Sequence, residues 1–86
     1  MKFTAQEARA VTIEFLSKKL GEDKIKLIIE EIREQAQSGY SYLNIYCDRY
    51  KIDNTLNYLV GLWAEFNGYK VTYPRPGVVT INWRNV

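Results

Sequence analysis

Between Ile25 and Cys47 the apolar residues change their spacing from that of a helix to that of a strand, so both kinds of element must share one core. Ile25, Ile28, Ile29, Ile32 and Ala36 fall at i, i+3, i+4, i+7 and i+11, the spacing that lines one face of a helix. Gly39 comes next as the stop. From Tyr40 to Cys47 the period drops to two: Leu43, Ile45 and Cys47 point one way and Tyr42, Asn44 and Tyr46 the other. That alternation predicts a strand buried on one side only.

The flanking segments extend the pattern in both directions. Thr4 and Glu7 have the spacing of a capping box, in which the threonine oxygen accepts an early helical amide and the glutamate reaches back to the cap. A helix is therefore expected from Ala5, with Ala8, Val11, Ile13, Phe15, Leu16 and Leu20 giving it a wide apolar surface and Gly21 ending it. Glu22 and Asp23 favour the start of the isoleucine-striped helix through the macrodipole. After a polar link from Asp48 to Ile52, Asp53 is placed to cap a third helix. Its apolar positions are Leu56, Leu59, Val60, Trp63 and Phe66, and Gly68 closes it. Gly61 sits inside this helix, where close packing is the expected reason for it. Tyr69 to Tyr73 and Val78 to Trp83 alternate as two further strands, joined by Pro74, Arg75, Pro76 and Gly77 as a turn.

The predicted order is α-α-β-α-β-β, with no repeat and no linker, so residues 1–86 are read as a single domain. The expected fold class is α+β: three helices packed on one face of a small, mostly antiparallel, three-stranded sheet. Strand parity turns Leu43, Ile45, Cys47, Val71, Val79, Ile81 and Trp83 toward the helices. Tyr42, Asn44, Tyr46, Lys70, Thr72, Thr80, Asn82 and Arg84 are left on the other side.

Composition narrows the chemistry. The chain has no histidine and a single cysteine, which removes the usual triads, Cys/His dyads and His-bearing zinc sites. The lone Cys47 closes no intramolecular disulfide and reads as a small buried apolar residue. Glu30, Glu31 and Glu34 lie off the isoleucine stripe beside Lys26 and Arg33, as a solvated helix face does. Asp48 and Asp53 make a weak metal pair, and the five glycines are isolated, so no phosphate loop is formed. We therefore expect no enzyme activity, no cofactor and no metal. Nothing in the sequence targets or spans a membrane, and the cytoplasm is the expected compartment. Twelve basic against ten acidic residues give a net charge of only +2, too small to make phosphate neutralisation the obvious purpose.

The tyrosine-bearing sheet face is the expected binding surface. Tyrosine offers a large contact area at small entropic cost, with a hydroxyl for hydrogen bonding. The residues expected to carry binding are Tyr42, Asn44, Tyr46, Lys70, Arg75, Asn82 and Arg84, with Arg75 projecting as a rigid charge at the hairpin tip. The partner is expected to be another protein or a second copy of the chain, since a three-stranded sheet leaves edges and a back face to bury. One alternative is a nucleotide-binding sponge, with tyrosine stacked on a base and Lys70, Arg75 or Arg84 on a phosphate. Single-stranded nucleic acid is another, and the absence of a run of glycine and aromatic residues argues against it. A winged-helix reading fails because the exposed side of the third helix, Asn54, Asn57, Tyr58, Glu65 and Asn67, carries no lysine or arginine.

Four segments, Phe3-Thr4-Ala5-Gln6-Glu7-Ala8-Arg9, the Ile28/Ile29/Ile32 helix ending Ala36-Gln37-Ser38-Gly39, Phe66-Asn67-Gly68-Tyr69-Lys70-Val71 and Thr80-Ile81-Asn82-Trp83, together resemble the layout of small proteins of tailed bacteriophages across almost the whole chain. The resemblance implies an accessory or virion component, or a stoichiometric binder that neutralises a host factor or sequesters a nucleotide signal. It carries over no functional residue.

Overall fold

The computed structural model describes residues 2–84; Met1, Asn85 and Val86, which the single-domain reading includes, lie outside them. The elements are α1 (Ala5–Leu20), α2 (Glu22–Gln37), β1 (Tyr42–Tyr46), α3 (Asn57–Phe66), β2 (Lys70–Arg75) and β3 (Val78–Asn82), the order expected from the sequence. The sheet runs β1-β3-β2 with both pairings antiparallel, so the fold is α+β. β3 is central because its run Val78-Val79-Thr80-Ile81 is β-branched throughout and suits a strand with neighbours on both sides.

The core lies between the sheet and the helices. Ile28 of α2, Ile45 of β1, Val60 and Ala64 of α3, and Val79 and Ile81 of β3 are fully buried, as is Cys47 just past β1. Val71 and Trp83 pack against this cluster from its margin, so strand parity is as the alternation predicts. α2 and α3 meet the strands, whereas α1 lies mainly against α3 and α2. That placement explains a difference from the expected apolar surface of α1: Leu16 and Leu20 are buried, but Val11 and Phe15 are 57% and 61% exposed. Only the C-terminal end of α1 drives its side chains deep into the core. Ile29 and Ala36 of α2 are likewise exposed.

Local signals behave largely as their chemistry requires. Thr4 accepts from the Glu7 amide at 3.1 Å, and its hydroxyl donates to the Glu7 carboxylate at 3.0 Å. The glutamate thus bonds the cap hydroxyl, a variant of the expected capping box. Asp53 accepts from the Thr55 amide and hydroxyl at 2.9 and 2.8 Å, but the element it caps is a 3₁₀ turn, Asn54–Leu56, that leads into α3. The stretch read as a polar link also differs. Cys47–Tyr50 is a 3₁₀ turn, and Tyr50 and Ile52 are buried in the core. Two apolar residues in a short polar stretch carry no period, so no local pattern marks that turn.

Gly61 is a point of close approach between α3 and β2. A Cβ at this position would overlap the Tyr73 phenol, so glycine is needed for the ring to lie against the helix. Burial, and then the nearby Glu65 carboxylate, push the Tyr73 phenol above its ordinary pKa. Gly61→Ala should therefore expel the ring and return its titration toward the ordinary value near about 10. In a Tyr73→Ala background the same change should stabilise the protein by about 1 kcal/mol, the helix-interior preference of alanine over glycine. Urea unfolding of the four proteins tests this, and equal effects of Gly61→Ala in both backgrounds would contradict the contact.

Candidate functional site

The sheet side away from the helices is built from three cross-strand rows. Tyr42, Asn82 and Lys70 form the first, Asn44, Thr80 and Thr72 the second, and Tyr46, Val78 and Arg75 the third. Within the middle row the Thr80 hydroxyl donates to Asn44 Oδ1 at 2.7 Å. Tyr42 is further braced by an edge-to-face contact with Tyr40, ring centroids 6.1 Å apart. Tyr42 and Tyr46 are 43% and 41% exposed, so both rings lie open across the face.

Arg75 does not project from the hairpin tip as the Pro-Arg-Pro-Gly run suggested. It is the last residue of β2, and the turn consists of Pro76 and Gly77. Proline with its fixed φ followed by Gly77 at φ 79° suits the two central positions of a type II turn. The ladder slips between Thr72 and Arg75: Thr72 pairs with Thr80 and Arg75 with Val78, so Tyr73 and Pro74 together oppose Val79. This is a β-bulge, and Pro74, which has no N–H to give to a ladder, is tolerated there on an edge strand. The extra residue inverts the parity of the strand beyond it. Without it Arg75 would share the helix-facing side with Val71; with it the side chain lies on the open face.

The re-aimed arginine reaches back over the sheet. Its guanidinium carbon is 5.9 Å from the centroid of the Tyr46 ring, two strands away, a cation–π arrangement. Val78 lies between them in the same row and is only 7% exposed although it points away from the helices. Beside the pair is a shallow depression of about 350 Å³, lined by Asn44, Tyr46, Pro74, Arg75, Val78 and Thr80. Of the expected site residues, Tyr42, Asn44, Tyr46, Lys70, Arg75 and Asn82 are thus brought onto one face. Arg84 is exposed just beyond the end of β3. Val78 is the member of the face that the sequence analysis did not name, although alternation with the inward Val79 already turns it outward; the signal that would have placed Arg75 is Pro74, which inside an alternating run marks a bulge.

Charge is sorted between the two sides of the molecule. None of the ten acidic residues lies in a strand; all are on helices or in the segment between β1 and α3. Lys70 and Arg75 are the charged residues of the strands, and among the described residues no carboxylate is within ion-pair distance of either.

Two other recesses are less one-sided. A cleft of about 460 Å³ between α1 and α3 is lined by Arg9, Leu62, Glu65, Phe66 and Gly68, where the two charges offset each other. A second, of about 300 Å³, runs along the outer edge of β1 past Glu31, Glu34, Gln35 and Arg49. Arg49 pairs there with Glu31 at 3.4 Å. Tyr50 is 5% exposed and its hydroxyl faces the Glu31 carboxylate without a well-formed hydrogen bond; burial first, and the polar contact with Glu31 second, raise its pKa well above that of an ordinary phenol. Cys47 is buried, and burial followed by the charge of Asp48 pushes its thiol up, the opposite of what an activated thiolate needs.

No protein family, curated protein or solved structure matches the chain. Among the described residues no helix is long and apolar enough to cross a membrane.

The Tyr50 hydroxyl supplies a test of the packing behind β1. Because the folded-state pKa is raised, the stability contributed by the neutral phenol is complete below the ordinary value near about 10 and is lost as pH rises above it. Tyr50→Phe removes a buried hydroxyl that has no well-formed hydrogen bond. It should leave stability at neutral pH unchanged or higher by up to about 2 kcal/mol and flatten the decline above about pH 10. Thermal melts from about pH 7 to about pH 11 read both effects.

Proposed function

We propose that this protein is a non-enzymatic binding module whose open sheet face takes an acidic partner. The observation that carries the reading is the segregation of charge: a face with Tyr42 and Tyr46 exposed, Lys70 and Arg75 without counter-ions among the described residues, and no carboxylate side chain on any strand. Such a face attracts negative surface and holds it with aromatic contact area. The partner is a protein whose docking patch is rich in aspartate or glutamate. By the resemblance to small phage proteins, it is a host protein neutralised one-to-one in the host cytoplasm.

A second reading is favoured by one specific contact. The Arg75 guanidinium over the Tyr46 ring borders the 350 Å³ depression, and a planar anion such as a nucleotide fits a site with a ring on one wall and a cation on the other.

The test compares the wild type with the doubly substituted Lys70→Glu/Arg75→Glu variant and with Lys18→Glu on α1 as a control. Binding to immobilised polyglutamate at low salt should weaken at least about tenfold in the double variant, change little in the control and fall with added salt. Thermal-shift screening against linear and cyclic nucleotides runs in parallel. Stabilisation at micromolar nucleotide that Arg75→Glu abolishes selects the second reading. Silence toward both probes at low salt rejects the open face as a binding surface.

A further inference from the structure

We infer that the outer edge of β1 is the pairing edge for a second copy of this chain, giving a two-fold dimer with one continuous six-stranded sheet. Trp83 N donates to Ser41 O, and Cys47 N donates to Gly77 O, both at 2.9 Å. These bonds bracket β1, and in an antiparallel ladder the residues between them alternate. Leu43 and Ile45 therefore turn their amides and carbonyls toward Ile81 and Val79 of β3, and Tyr42, Asn44 and Tyr46 turn theirs outward. Among the described residues the one hydrogen bond made by these outward backbone groups is from Gln35 Nε2 to the Tyr42 carbonyl, at 3.3 Å.

The two edges of the sheet are treated differently. β2 carries Pro74, a bulge and Lys70, the devices by which proteins keep an edge from pairing. β1 is a regular five-residue strand with no proline, no charge and no register shift. An edge that lacks these devices while its counterpart has them offers its free amides and carbonyls as a template for another strand. The recess beside it argues that the pairing strand comes from an identical chain. A two-fold interface brings a patch against itself, and this one does not present a field of one sign: Glu31 and Glu34 on α2 are accompanied by Arg49 beyond the end of β1, which lies 3.4 Å from Glu31.

Centring the two-fold on Asn44 pairs all three outward residues: Asn44 faces Asn44 of the second copy, and Tyr42 faces its Tyr46. The inference rests on the open-face reading only for its consequence, since two such faces would join with four tyrosine rings along the seam. The geometry of the edge stands independently.

The experiment exploits the residue on the axis. Light scattering coupled to size-exclusion chromatography should show a dimer for the wild type. Asn44→Lys and Asn44→Asp each oppose a charge to itself and should raise the dimer dissociation constant at least about fivefold. Mixing the two variants should restore association as a heterodimer, a result that also demonstrates both are folded. A wild-type monomer, a dimer insensitive to both changes, or variants that fail to recombine would each overturn the β1 edge. Polyglutamate or nucleotide binding by a monomer would leave the open-face reading standing.

Discussion

Covering an antiparallel sheet on one side only forces every strand of this molecule into a single register. Val79 and Ile81 of β3 and Ile45 of β1 are completely buried in one cluster with Ile28, Val60 and Ala64, and that contact fixes the register of the central strand and of β1. A slip of one residue would carry those side chains into water and bring Asn44 and Thr80 into the apolar core, where a polar group without a partner is costly. Anchored in this way, the opposite face has no freedom of its own. Except at Arg75, which the bulge re-aims, the residues on it take their side from alternation with neighbours that face the helices.

The same logic explains how much of the molecule could be read from the residues. Element order, the capping threonine, the helix-facing and open sides of the strands and the tight fit at Gly61 all come from period, parity and glycine chemistry, which act locally. What escaped were features whose cause is tertiary. Tyr50 and Ile52 enter the core from a short 3₁₀ turn and the residues after it, positions that burial alone defines. Phe15 stays in water because α1 lies beside the other helices more than on the sheet. The candidate face was legible in seven of its residues, Tyr42, Asn44, Tyr46, Lys70, Thr72, Thr80 and Asn82, whereas Arg75 was expected at the hairpin tip because its path depends on the bulge at Tyr73–Pro74.

Function on such a face is a matter of sorting. Acidic side chains are tolerated on α1, α2, α3 and the connecting turns, where helix N-termini and neighbouring lysines offset them, as Lys18 does for Glu14 at 3.2 Å. They are kept off the strands. A net charge of +2 for the whole chain therefore understates the local field over the sheet, because the offsetting carboxylates stand elsewhere. Bulk charge is a poor guide where the two signs are held in different layers.

The bulge in the hairpin has an evolutionary corollary. Since one supernumerary residue at Tyr73–Pro74 determines which way the guanidinium faces, the length of this arm works as a polarity selector, separate from the identity of the residues on it. A single-codon deletion there would swap the wet and dry sides for the end of the arm. Descendants of this chain can thus lose a basic contact in one step with every arginine still in place.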